Sequence, residues 1–109
     1  MTDQQIYHAL RKQFRAIDEN IDALRDRCTT DAQRQQLADD WAQAQKNYIE
    51  AGNRLFDGAE EDVKRLYEKL GEAQGEIDES MAEIRKIDQV LDKIARAVRI
   101  GKRLVKLGA

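Results

Sequence analysis

One histidine, His8, and one cysteine, Cys28, stand twenty positions apart in a chain of 109 residues. A thiol nucleophile needs an imidazole base, and a zinc site needs three or four His or Cys ligands. His8 falls outside the apolar seam of its segment and reads as a solvated side chain. Cys28 closes that seam and reads as a buried, inert thiol with no second cysteine for a disulfide. The chain carries 21 Asp and Glu, but a di-metal helical bundle takes ligands from Glu-x-x-His pairs, which are missing here. Asp57-Gly58 with Glu68 in the twelfth place imitates a calcium loop. Asp62 stands where its central Gly belongs, and Lys64 replaces an apolar residue, so the comparison fails. No Gly-rich phosphate loop occurs. These residues point away from an enzyme and imply no cofactor and no metal.

The charges carry more information. Residues 1–56 hold 8 Lys/Arg against 9 Asp/Glu (−1), residues 57–92 hold 5 against 12 (−7), and residues 93–109 hold 6 against none (+6). Glu68, Glu72 and Glu76 lie four apart, as do Glu79 and Glu83. Like charges at that spacing cost an isolated helix a few tenths of a kcal/mol per pair. Beside a basic partner the ladder becomes favourable, and Lys93, Arg96, Arg99, Lys102, Arg103 and Lys106 supply one. Antiparallel pairing of two copies would set each acidic stretch against the other's basic tail; the alternative is that both runs are solvated faces.

The elements that position these charges are helices. Val63, Leu70, Ile77, Ile84, Leu91, Val98 and Val105 are seven aliphatic residues spaced seven apart, the pattern of a coiled-coil seam. Tyr7, Phe14, Ile21 and Cys28, with Leu10, Ile17 and Leu24, make a first seam. Leu37, Trp41, Ala44, Tyr48, Ala51 and Leu55 make a second. Thr30 with Gln33 and Asp57 with Glu60 have the spacing of capping boxes. Helices are therefore expected over about 4–28, 31–56 and 58–107, forming one all-α domain over residues 1–109. Pro is absent, which suits long helices. Gly71 and Gly75 mark the obvious place for a bend, yet the repeat crosses them in phase, favouring a continuous third helix. As a Gly-x-x-x-Gly dimerisation motif in a membrane they are disqualified by Glu72 and Glu76. Trp41 and Tyr48 read as hairpin core, and Phe56 and Tyr67 as flanking packing.

The resulting expectation is an N-terminal helical hairpin plus a long third helix, packed as a coiled-coil-type three-helix bundle. Past residue 87 the apolar stripe widens to about half the helix circumference, more than a two-stranded seam needs. The hairpin is too short to cover it. Self-association as an antiparallel dimer is expected through Ile77, Ile84, Ile87, Leu91, Ile94 and Val98, oriented by Glu72, Glu76, Glu79 and Glu83 against the basic tail. The function expected is a non-enzymatic protein–protein interaction or assembly module, its partner a second copy or another helical protein. The alternative is a peripheral membrane protein that lays the cationic amphipathic segment 93–109 on an anionic bilayer. Nucleic acid is disfavoured, because no aromatic or amide interleaves the cations. One cysteine, no apolar span of ~20 residues and no leader-like start point to the cytoplasm, or to a membrane's periphery.

Overall fold

Two threonines start the first long helices by the same device. The Thr2 hydroxyl accepts from the Gln5 backbone N–H at 3.2 Å, and the Gln5 side chain accepts from the Thr2 N–H at 2.8 Å. Thr30 and Gln33 form the same reciprocal box, as their spacing leads one to expect. Each box satisfies backbone donors that a helix start otherwise leaves unpaired. The computed structural model describes residues 1–109 and is all-helical, with no strand. Its helices are α1 (Asp3–Glu19), α2 (Ile21–Arg27), α3 (Asp31–Ala51), α4 (Glu61–Met81) and α5 (Ile87–Lys106).

Three expected boundaries move. The 4–28 helix divides at Asn20, whose side-chain amide donates to Ala16 O at 2.8 Å and competes with the helical ladder. α3 stops at Ala51 rather than 56, so Leu55 leaves the seam and lies exposed. The Asp57–Glu60 box does not form. The Asp57 carboxylate instead accepts from the Ala59 N–H at 2.9 Å, and Glu60 precedes α4 without a side-chain cap.

The largest correction concerns residues 58–107, which form two helices rather than one. The chain turns at 82–86, and Gly71 and Gly75 lie within an unbroken α4. Ser80 Oγ donates back to Glu76 O at 2.8 Å, and Ala82, Glu83 and Lys86 donate to carbonyls three residues earlier, tightening the chain out of α geometry. Turning back buries ten of the twenty α5 residues, eight of them Ile, Leu or Val. At about 1.5–3 kcal/mol for each large side chain, that gain exceeds on the order of 10 kcal/mol. The few helical hydrogen bonds lost are worth about 0.5–1.5 kcal/mol each.

Cross-helix contacts define the topology. Trp41 Nε1 donates to Asp18 at 2.9 Å and Tyr7 meets Tyr48, so α1 and α3 run antiparallel. Gln36 reaches Leu91 O and Asn47 reaches Val98 O, so α3 and α5 run parallel. The α4–α5 hairpin stands beside the α1–α3 hairpin, and residues 52–60 cross the bundle end between α3 and α4, which are not packed neighbours in the way that α3 and α5 or α4 and α5 are. The wide stripe of α5 meets α3 on one flank and α4 on the other. The whole measures 43 × 22 × 19 Å.

The interior is not uniformly apolar. Gln13 is fully buried with neither amide atom partnered, and Asn47 beside it donates to Val98 O at 3.1 Å. Gly101 makes room for both: a Cβ there would lie 2.9 Å from Leu10 Cδ2 and 3.0 Å from Asn47 Nδ2. By contrast, a Cβ on Gly71 or Gly75 would meet nothing within 4 Å. The two kinds of glycine should respond oppositely. Gly101→Ala is expected to lower stability by about 1–3 kcal/mol through overpacking, and Gly75→Ala to raise it by up to about 1 kcal/mol. Urea midpoints of the two variants check both signs.

Candidate interaction surfaces

Of the six residues expected at an intermolecular interface, Ile77, Ile87, Leu91, Ile94 and Val98 are buried in the chain's own core. Ile84 lies half-buried in the 82–86 turn and packs against that core. The hairpin α4–α5 closes over the stripe that a straight helix would have left bare. Self-association through these residues would require opening the bundle, and Leu91→Asp would unfold the single chain before it could separate two. The apolar side of 93–109 is spent in the same way. Ile94, Ala97, Val98, Gly101, Leu104 and Val105 face inward, so nothing on that side is free to insert into a bilayer. No helix is long and apolar enough to cross a membrane.

Of the charge pairing expected between copies, one ion pair forms within the chain. Antiparallel α4 and α5 bring Glu76 to 3.7 Å from Arg96. Glu83 pairs locally with Lys86 at 3.0 Å. Glu72 and Glu79 are exposed without an ion pair, and Lys93, Arg99, Lys102, Arg103 and Lys106 have no carboxylate within 4.0 Å. These exposed groups contribute little to stability.

A different surface gathers the exposed apolar groups. Met1, Ile49 and Leu55 are the large hydrophobic residues that remain exposed, at 38%, 50% and 71%. All three lie at the bundle end crossed by residues 52–60. There Tyr7, Tyr48, Ile49 and Leu55 line a groove of about 510 Å³ between α1, the end of α3 and the crossover. Tyr7 and Tyr48 stand edge to face at 5.9 Å, Tyr48 leans on Phe14 at 5.3 Å, and Phe14 on Trp41 at 5.7 Å. This aromatic row fixes the groove's back wall.

The crossover is pinned on both sides. Leu55 and Ala109 exchange both backbone hydrogen bonds, at 2.9 and 2.8 Å. Arg54 Nη1 donates to Gly108 O at 3.1 Å, and the Phe56 N–H donates to Asp3 Oδ1 at 2.8 Å. Gly108 is required here, because a Cβ would stand 2.8 Å from the Phe56 ring. Leu55 is thus held outward by a fixed backbone. Its heptad spacing alone would put it inside, because that spacing continues past the helix end marked by Gly52 and Asn53.

Chemically active groups stay apart. His8 is exposed and packs edge-on to Tyr7 at 5.5 Å. Cys28 is buried, its Sγ donating to Leu24 O at 3.4 Å; desolvation pushes its pKa up, against the pull of Arg34 and Arg25. No three of the His, Cys, Asp and Glu side chains gather as a metal-binding set. No known protein family, curated protein or solved structure matches the chain.

One carboxylate titrates unusually. Asp40 on α3 sits half-buried in the groove toward Arg99 and Lys102 of α5, with its Oδ2 unpartnered. Desolvation, aided by Asp39 and opposed by Arg99, raises its pKa from 3.8 to about 6. A raised carboxylate pKa means the folded state holds the proton more tightly than the unfolded state does. The cost of the charge is therefore absent below about pH 4 and complete above about pH 6. Asp40→Asn is expected to match the parent near pH 4 and to exceed its stability by about 1 kcal/mol at pH 7, allowing for solvent screening. Urea titrations across that range measure the difference.

Proposed function

We propose that this chain is a non-enzymatic protein-interaction module that docks an apolar segment of its partner at the bundle end. One observation carries the reading: the large exposed hydrophobic side chains collect at that end instead of scattering. Clustered apolar exposure beside aromatic side chains is the composition of an interface core. Tyr7 and Tyr48 supply wide, stiff contact area, and Ile49 and Leu55 supply the aliphatic rim that excludes water. The pinned crossover supports the same view, because a surface held in place before binding loses little conformational entropy on docking.

A photo-crosslinking amino acid placed at position 55, against a control at the exposed position 69, tests the proposal in cells of the source organism. Adducts are expected from position 55 alone, and Ile49→Glu is expected to abolish them. Because Ile49 is half exposed, that change should alter stability by no more than about 0.5 kcal/mol, and circular dichroism with a urea titration verifies it. Equal labelling at positions 55 and 69, or labelling that survives Ile49→Glu, would remove the end groove as the docking site.

A further inference from the structure

Side-chain hydrogen bonds join the helices of the two hairpins along one edge only. Gln33 donates to Asp88, Gln36 to Leu91 O and Asn47 to Val98 O, so all three run from α3 to α5. No such bond and no ion pair joins α1 or α2 to α4. The contacts of α1 with α4 and α5 are also sparse beside those that α3 makes with α5.

Two grooves follow the unjoined edge. One of about 410 Å³ lies between Ala16 and Glu19 of α1 and Gln74 and Asp78 of α4. The other, of about 680 Å³, lies between α2 and the 82–86 turn, against Ala23 and Ile84. The helix faces along this side also bury amides that lack partners. Gln13 of α1 is fully buried with neither amide atom bonded, its Oε1 turned toward Gly101 of α5. Gln74 Nε2 donates to Asp78 at 3.0 Å, but its buried Oε1 accepts nothing. The one other buried side-chain atom without a partner, Asp40 Oδ2, lies at the margin of α3 and α5, so none falls inside either hairpin. Water would satisfy both glutamines if their cover were lifted, so each favours separation of the faces it sits on.

We infer that the bundle opens along the α1–α4 edge while α3 and α5 stay together as the hinge. One end of that edge is held shut, because the Phe56 N–H donates to Asp3 Oδ1 at the start of α1. The gap is therefore widest at the other end, between α2 and the 82–86 turn. Each hairpin moves as a unit, so no hydrogen bond within a helix is broken. Opening wets Gln13, Gln74 and the α4 face that carries Leu70 and Ile77, one turn to either side of Gln74. The open state exposes part of the core and costs less than unfolding the whole chain. The apolar groove at the bundle end lies at the held end and keeps its shape.

Alkylation of single buried thiols by iodoacetamide tests the proposal on the intact chain, with Cys28 replaced by Ser. Ile77→Cys puts a thiol on the opening face. Ala97→Cys puts one at the same level on the α4 flank of α5, beside the Glu76–Arg96 pair. Labelling at 77 is expected to run at least about tenfold faster than global unfolding of that variant permits, and labelling at 97 to match global unfolding. Gln13→Leu should change labelling at 77 by the same factor as the unfolding equilibrium, because the amide is wet in the open and unfolded states alike. Spin labels at the exposed positions 19 and 78 report the edge without disturbing the core. In urea below the unfolding transition, a longer 19–78 separation should gain population while the 39–92 separation across α3 and α5 holds. Full global protection at 77, equal exposure of 77 and 97, labelling at 77 that ignores Gln13→Leu, or a 19–78 separation that lengthens only on unfolding would each overturn the proposal.

Discussion

The interaction on which the rest depends is the burial of the wide apolar face of α5 against α3 and α4 at once. Residues 87–105 are too hydrophobic over too large an arc to remain on a lone helix in water. The turn at 82–86 exists to satisfy that face, and other features follow from it. The acidic run of α4 comes to lie beside the basic run of α5, with Glu76 and Arg96 in contact. The interior must also bring α5 close to Leu10 of α1 and Asn47 of α3, which it does through Gly101. Finally, the end of α5 returns to the crossover, where Ala109 pairs with Leu55 and holds it outward.

Helical class and most core residues were legible because burial repeats at helical spacing. Val63, Leu70, Ile77, Leu91, Val98 and Val105 are all buried, and the Thr30–Gln33 box marks the start of α3. The turn was not legible. Met81, Ile84 and Ile87 are three apart, so the apolar repeat passes through a reversal of direction without a change of phase. No Gly, Pro or Asn punctuates 82–86, and the two glycines that mark the obvious place for a bend sit within an unbroken α4. The turn is imposed by tertiary burial, which overrides local propensity. For the same reason the stripe expected at an interface forms core.

The surface was harder to read than the core. Leu55 keeps its heptad place in the sequence, and only the end of α3 at Ala51 reveals that it faces solvent. The width of the α5 stripe was the usable signal, since it called for more than one neighbour. A hairpin closing on itself meets that demand as well as a second chain does. Gln13 and Gln74 gave no signal, because a lone amide in a polar-rich helix does not announce its burial.

The return of α5 along α4 is most directly tested by a distance between spin labels at positions 69 and 103, with Cys28 replaced by Ser and the sample diluted in unlabelled chain. Adjacent helix axes lie about 8–10 Å apart, so a folded-back chain should give a short separation, set mainly by the label arms. A continuous helix at about 1.5 Å per residue would instead place the labels about 50 Å apart. That longer distance would contradict the account.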